Sequence, residues 1–409
     1  MRDPIQTDVH SNERWRMLVF LSIALVFSWS TWFSAAAVIP QLRSAWELTS
    51  SGAAWLTIAV QMGFVIGALV SSLFNIADII SPKHVIMGGA VGAALANLLM
   101  LSAGGPEAVI PLRFATGFFL AGVYPPAFKL ISTWFRENRG LALGILAGAI
   151  VVGGGVPHLI NGLGGLGWQI VILATSVQCL IGGLVAEYVV REGPYPFPTA
   201  VFDPRQIGSA ITNRGVRLAA LGYVGHMWEL FAMYAWILIF FIDLFEAYGV
   251  GTASTAAFVV FFITFVGGVG SWVGGILADK WGRTNTAILM MGISGTCAIL
   301  VGLQFNTNPY LVLLIGLIWG FTAVADSAQF STMVTETADQ SYVATALTVQ
   351  LASGFLITTV TIWLIPILQE SFSWRWAFAF LAPGPLVGIL AMLRLRSLPE
   401  AAKIGGGKG

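Results

Sequence analysis

The chain has little charge and little cysteine. Only 10% of its 409 residues are Asp, Glu, Lys or Arg, and the formal net charge is +1. So low a charge excludes an ordinary soluble globule, and the scattered basic residues form no patch for nucleic acid. Cys179 and Cys297 lie far apart inside apolar runs, so no disulfide framework or zinc site is expected. The HExxH and GxSxG patterns are missing too, and we expect no enzyme activity and no cofactor.

Apolar sequence is abundant instead. Hydrophobic residues make up 57% of the chain, which has 27 Phe and 15 Trp. A helix needs about 20 apolar residues to cross a bilayer, and lipid offers the backbone no hydrogen bonds. The apolar runs therefore predict an all-α membrane protein with twelve spans, at 17–40, 52–75, 85–103, 107–131, 140–163, 168–190, 217–242, 253–278, 285–304, 309–331, 342–367 and 374–393.

The basic residues predict the orientation of these spans. With the N-terminus in the cytoplasm, every Lys and Arg except Arg43, Arg113 and Arg375 falls in a cytoplasmic segment. Cytoplasmic connections are enriched in Lys and Arg. We therefore expect both termini to be cytoplasmic and the protein to lie in the cytoplasmic (inner) membrane of a bacterium.

The two halves of the sequence are related. Asp78 follows the second run as Asp279 follows the eighth, and STW at 132–134 corresponds to STM at 331–333. Offsets near half the chain length indicate an internal duplication. We predict an N-terminal segment at 1–16, a six-helix bundle at 17–190, a cytoplasmic linker at 191–216, a second bundle at 217–395 and a tail at 396–409.

A charged loop between the eighth and ninth spans carries the most specific motif. The sequence GGILADKWGR, 274–283, supplies its key positions, Gly275, Asp279, Lys280, Gly282 and Arg283. The equivalent loop of the first half keeps Asp78 and Lys83 but loses both glycines. With these loops and its twelve spans, the chain resembles the major facilitator superfamily from about residue 14 to residue 398.

The resemblance implies two pseudo-symmetric six-helix bundles around a central cavity, with the charged loops as gates. A small residue at Gly275 would let helices approach closely. Asp279 could face the positive end of a neighbouring helix, and Lys280 and Arg283 follow the charge bias. The loop then either latches one bundle against the other or only anchors the topology.

Ionisable residues inside the spans are the candidate site. Such groups cost about 2.5–3.5 kcal/mol in lipid and usually line a cavity or pair with each other. In the family that the chain resembles, spans one, four, seven and ten line the cavity. The candidates on these spans and on span eleven are Arg113, His226, Glu229, Asp326, Trp29, Trp32, Tyr223, Tyr234 and Gln350.

Each candidate has more than one possible role. His226 and Glu229 share a helix face and either exchange a proton as a pair or fix helix packing. Arg113 binds an anionic group, holds a nearby carboxylate or supports the fold. Asp326 faces the cavity or cytoplasmic water, and Gln350 contacts substrate or a neighbouring helix.

We therefore expect a secondary transporter that moves a small organic solute, anionic or amphipathic, by alternating access. We expect the proton as coupling ion, a small-molecule substrate and the lipid bilayer as partners, and a monomer. The alternatives are a proton-driven multidrug efflux antiporter, a facilitator without protons, and a membrane receptor or assembly factor that does not transport.

Overall fold

The computed structural model describes residues 4–136, 138–195 and 202–408. Over these ranges the chain is helical and contains no strand. The twelve spans are α1 (Pro4–Trp29), α2 (Ser50–Leu73), α3 (Pro82–Ser102), α4 (Pro106–Ser132), α5 (Arg139–Gly162), α6 (Trp168–Tyr188), α7 (Arg214–Tyr248), α8 (Ala253–Trp281), α9 (Arg283–Leu303), α10 (Pro309–Thr337), α11 (Val343–Phe372) and α12 (Trp374–Arg396). Eleven of these described helices, all except α1, are long and apolar enough to cross a membrane.

The first span is broken, so the prediction of one helix over 17–40 is wrong. The helix ends at Trp29, and a short turn of 3-10 helix leads to a second helix, Ile39–Trp46. Hydroxyl groups explain the break: Ser30 donates to the carbonyl of Phe27 at 2.7 Å, and Thr31 donates to that of Ser28 at 2.9 Å. Such local bonds compete with the helical hydrogen-bond ladder.

Helix packing in the first half is repeated in the second. Helix α1 packs on α5 and α6, α2 packs on α4, and α3 packs on α4 and α6; each pairing recurs six helices later. The halves meet along α5 with α8 and along α2 with α11. The packing therefore has the symmetry expected of a duplication. The division at 191–216 stays a prediction, since residues 196–201 lie outside the described ranges.

Helices α4 and α10 are interrupted at equivalent depths. Helix α4 is interrupted between Leu120 and Tyr124, and α10 is interrupted at Asp326. Because twelve crossings return the chain to its starting side, α1 begins and α12 ends on one face, called here the terminal face. The two breaks lie between the helix centres and this face.

Close helix contacts depend on glycine, but not on the one that was predicted. A Cβ on Gly63 would lie 1.9 Å from the carbonyl oxygen of Phe114, and one on Gly274 would lie 1.9 Å from that of Ala325. A Cβ on Gly275 would meet nothing within 4 Å. The predicted role of Gly275 in close packing is therefore wrong, and its neighbour in sequence has that role.

Candidate functional site

A cavity of about 100 Å³ lies between the two halves. Helices α1, α4 and α5 form one wall, and α7, α8, α10 and α11 form the other. Its lining is mostly aromatic and aliphatic, and consists of Trp29, Phe33, Tyr124, Ala147, Ile150, Val151, Gly154, Tyr223, Met227, Leu230, Phe231, Tyr234, Thr264, Val324, Ser327 and Phe355. The cavity thus includes three of the predicted site residues, Trp29, Tyr223 and Tyr234.

Stacked aromatic rings hold the first-half wall in place. Trp32, the fourth predicted aromatic, lies behind this wall and stacks on Trp29 with ring centroids 4.6 Å apart and planes 10° apart. Phe64 of α2 contacts both indoles edge-on, at 5.9 and 5.2 Å. The break after α1 places these rings, since it turns the chain away from the helix axis directly after Trp29.

Arg113 supports this break and does not face the cavity. It is buried, and its nitrogens donate to five acceptors: the carbonyl oxygens of Leu56, Thr31 and Trp32 and the side-chain oxygens of Ser34 and Asn97. The carbonyls of Thr31 and Trp32 lie in the break after α1, where neither accepts a described backbone hydrogen bond. The placement of Arg113 in the cavity, as a binder of an anion or partner of a carboxylate, is corrected to a scaffolding position.

Glu229 is buried in the second half among neutral donors. Its carboxylate accepts a hydrogen bond from Ser294 of α9 at 2.9 Å and from the indole of Trp319 of α10 at 2.6 Å. No described cation lies within ion-pair distance of it. Sequence reasoning missed both donors, since a Ser and a Trp in apolar runs give no signal of pairing.

His226 is paired with Asp326 rather than with Glu229. Its Nδ1 lies 2.9 Å from a carboxylate oxygen of Asp326 on α10, and both side chains are about 2% exposed. The contact has ion-pair distance without the alignment of a hydrogen bond, and Nε2 has no partner among the described residues. The predicted His226–Glu229 pair is therefore wrong in its partner. Asp326 is buried and does not face terminal-side water.

Two buried amides have no hydrogen-bond partner in the described part of the chain. They are Gln61 of α2 and Gln350 of α11, and neither the nitrogen nor the oxygen of either side chain is paired. These helices pack on each other across the halves. Unpaired buried amides are expected to bind water or another ligand. The role predicted for Gln350 stays a prediction, and Gln61 was missed because an uncharged residue in an apolar run is inconspicuous.

The loop between α8 and α9 is bound mainly within the second half. Arg283 makes a bidentate contact with Glu336, at 2.9–3.1 Å, and also donates to Gln329 at 3.3 Å. Its Nη1 lies 3.7 Å from a carboxylate oxygen of Asp279. Glu336 was not predicted, because its pairing depends on α10 ending beside this loop. Lys280 is exposed.

The C-terminal tail is docked on the same loop. The backbone N–H of Gly405 donates to Glu336 at 3.1 Å, and the Lys408 ammonium donates to the carbonyl of Asp279 at 3.0 Å. A Cβ on Gly282, whose φ is +104°, would lie 2.2 Å from the carbonyl oxygen of Lys408. Gly282 therefore lets the tail backbone approach. Ile404, which belongs to the tail, is fully buried.

The loop comes close to the first half at the start of α5. An oxygen of Asp279 would lie 3.8 Å from a Cβ on Gly140, the second residue of that helix. The first-half loop remains within its own half, where Lys83 lies 3.8 Å from Glu187 of α6. Asp78 belongs to the short helix Ile76–Ile79, but its side chain lies outside the described part, so its gating role stays a prediction.

Comparison with known proteins gives the family. The family model described as Major Facilitator Superfamily matches residues 21–349 and 230–409. The chain is 23% identical over 93% of both lengths to the hexuronate transporter of Escherichia coli. It is 23% identical to the MFS transporter asaE of Aspergillus flavus over 68% of this chain and 62% of that protein. The chain thus matches less than two thirds of the length of the fungal relative.

A solved structure has the same fold. The chain is similar to a bacterial homolog of the human lysosomal transporter Spinster, in an inward-facing and unoccupied conformation, with a TM-score of 0.67 and 15% identity. The match covers 95% of this chain and 97% of the other. With the family model matching nearly the whole sequence and the two repeated six-helix halves described above, the chain belongs to the major facilitator superfamily of multi-pass membrane transporters.

Proposed function

We propose that the protein moves a small organic solute across the membrane by alternating access and couples this movement to a proton. The observation that carries the proposal is a central cavity with walls from both halves, backed by a buried Glu229 and a buried His226–Asp326 pair. When the halves rock about such a site, the solute is exposed to one side and then the other.

The interface between the halves suits rocking. Along α5 and α8, a Cβ on Gly148 would lie 2.8 Å from the carbonyl oxygen of Gly268, so the backbones are nearly in contact. Small residues let membrane helices approach without interlocking side chains. On the face opposite the termini, Ser50 of α2 donates to Glu370 of α11. Opening on that side would break this bond.

The acidic side chains behind the cavity are the groups that we propose to bind and release the coupled proton. Glu229 contacts only neutral donors, and an ionised side chain at this depth is costly unless paired. Gaining or losing a proton there would therefore change the relative energies of the two conformations. His226 and Asp326 also lie on the second-half side of the cavity. Tyr223, one turn before His226, and Ser327, next to Asp326, both line the cavity. We infer that this group of three residues couples protons to solute movement.

Proteoliposomes with a trapped pH dye would test the proposal. Purified protein is challenged with a panel of hexuronates, small carboxylates and aromatic alcohols, and solute-evoked proton movement is recorded. We expect Glu229→Gln, which keeps one acceptor oxygen for the Trp319 indole and places its amide nitrogen beside the Ser294 hydroxyl, to abolish proton movement while binding persists. Glu187→Gln, at the terminal face, is the matched control and should transport normally. Full proton-coupled flux in Glu229→Gln, or solute flux without protons in the wild type, would contradict the coupling.

The direction and location of transport remain proposals. Relatives include a hexuronate transporter and a probable actinorhodin transporter of Streptomyces coelicolor, and this mixture favours neither uptake nor efflux. We propose a cytoplasmic membrane location with both termini in the cytoplasm, from the charge bias. A monomer stays a prediction, and so does the absence of a cofactor.

A further inference from the structure

We infer that the central cavity selects an uncharged solute that carries an aromatic ring, and rejects free carboxylates. This inference rests on the proposed transport function and deepens it. Among the described residues that line the cavity, none is Asp, Glu, His, Lys or Arg, whereas seven are Trp, Tyr or Phe. Sites with mainly aromatic and apolar walls and a few polar groups are typical of small organic ligands.

A carboxylate would find no cation among the described residues that line this cavity. The buried cation in the first half, Arg113, already donates to five protein acceptors and does not belong to the lining. Behind the opposite wall lie the carboxyl groups of Glu229 and Asp326, which supply no positive charge for an anion. Burying an unpaired anion is strongly unfavourable. The cavity therefore disfavours the anionic solute that the sequence alone suggested.

A permanent cation is disfavoured for a different reason. Aromatic faces attract cations, but none of the described residues that line this cavity has a carboxylate to neutralise one. The oxygens of Glu229 accept hydrogen bonds from Ser294 and Trp319, and Asp326 lies against His226. A bound cation would thus require these contacts to break, whereas an uncharged ring leaves them intact.

The geometry of the rings fits a planar group. Phe33, in the break after α1, and Phe231 of α7 face each other across the two halves, with centroids 6.0 Å apart and planes 25° apart. Tyr234 meets Phe33 edge-on at 5.8 Å. The Tyr234 hydroxyl is buried and has no partner within the described ranges. A ring that slides between Phe33 and Phe231 as the halves part could accept one hydrogen bond from this hydroxyl.

The cavity must widen before it can take such a solute. A dry cavity of roughly 150 Å³ holds a single benzene ring, whereas this one has about 100 Å³. Because its walls come from different halves, a small separation of α1 from α7 increases the volume without unfolding either bundle. The described cavity is then the closed form of the ring site.

Three matched probes test the charge preference at equilibrium. Naphthalene-2-methanol, 2-naphthoate and 2-naphthylmethyl-trimethylammonium share one ring system and differ in charge. Binding to purified protein in detergent is measured by equilibrium dialysis. We expect the alcohol to bind at least tenfold more tightly than either ion. Tighter or equal binding of the carboxylate or the ammonium ion, or no binding of any probe, would overturn the inference.

Two variants locate the binding in the cavity. Phe231→Leu, a conservative change, should weaken binding of the alcohol about tenfold, and Tyr234→Phe should remove its advantage over 2-methylnaphthalene. Phe262→Leu on the lipid-facing side of α8, where Phe262 is 54% exposed, is the control and should bind as the wild type. Unchanged binding in both cavity variants would place the ring elsewhere and overturn the inference.

The result is separable from the transport proposal. Alcohol binding in detergent without evoked proton movement in proteoliposomes would contradict the proposed function and leave the ligand class standing. Proton-coupled flux of carboxylates alone would support the function and overturn the ligand class.

Discussion

The two halves share a helix arrangement but bury opposite kinds of polar group. The interior of the first half is built around Arg113, which is permanently charged and donates to backbone and side-chain oxygens. The interior of the second half holds Glu229, His226 and Asp326, which can gain and lose protons. A group of fixed charge whose three nitrogens are all hydrogen-bonded suits a scaffold. Groups that titrate suit a switch. The duplicated fold has therefore kept its packing while its halves diverged in chemistry.

The charged loops of the two halves also differ in how firmly their basic residues are bonded. In the second half, Arg283 binds Glu336 through two oxygens, and the tail is bonded to the same carboxylate. In the first half, Lys83 lies 3.8 Å from Glu187, and the shorter contact of that carboxylate, at 2.8 Å, is with His84. Arg283 is thus part of a bonded cluster, whereas Lys83 makes only a long contact.

The largest effect should come from Arg113→Ala. Removal of the guanidinium takes a charged donor from five buried oxygens. Hydrogen bonds to a charged group contribute about 1.5–3 kcal/mol each, so we expect a loss of at least about 3 kcal/mol of folding free energy. Arg113→Lys should not restore stability, because an ammonium lacks the planar fork of donors. Thermal unfolding in detergent measures both, with the exposed Arg375→Ala as control. If Arg113→Ala stays stable and loses only solute binding, Arg113 is a functional group like those of the second half, and the contrast between the two interiors fails.

Glycine substitutions in the equivalent seams come next. Gly63→Ala in α2 and Gly274→Ala in α8 each place a Cβ 1.9 Å from a carbonyl oxygen of the neighbouring helix. Overpacking of this kind costs about 1–3 kcal/mol. Gly275→Ala, which meets open space, should be neutral or stabilising by up to about 1 kcal/mol. Thermal unfolding compares the three, and a harmless Gly274→Ala would mean that the halves are packed differently.

Arg283→Ala and Lys83→Ala compare the loops. Loss of the bidentate Arg283–Glu336 contact should cost about 1.5–3 kcal/mol and expose the tail, which limited proteolysis or amide exchange at residues 399–408 would detect. Lys83→Ala should change stability by less than about 0.5 kcal/mol. Equal effects on stability would contradict the distinction between a bonded cluster and a long contact.

Asp326→Asn should have the smallest effect on stability. An amide has nearly the same shape as the carboxylate and still contacts His226, so we expect a loss of at most about 1 kcal/mol. Proton-coupled flux in proteoliposomes should nevertheless fall about tenfold, since the side chain no longer titrates. If Asp326→Asn destabilises as much as Arg113→Ala, the acidic group is scaffold too, and the contrast between the halves fails.

Much of the architecture could be predicted, but little of the pairing could. The apolar runs give eleven of the spans to within a few residues. The break after Trp29 follows from hydroxyl groups, and a hydropathy average along the chain does not detect it. The candidate residues Trp29, Tyr223 and Tyr234 line the cavity, whereas Arg113 and Glu229 do not. Their spacing on one helix predicts that His226 and Glu229 pair with each other, but each of them contacts partners on other helices.

The sequence by itself determined the membrane class, the helix count, the duplication and the family, because hydropathy, charge bias and motifs are local along the chain. Only the tertiary structure decided which side chains meet. Glu229 finds Ser294 and Trp319 on two other helices, and Arg113 finds the carbonyls of Thr31 and Trp32 where a helix has ended. A buried polar group is stabilised by whatever donor or acceptor lies within about 3 Å, and the distance between helices far apart in sequence is set by packing.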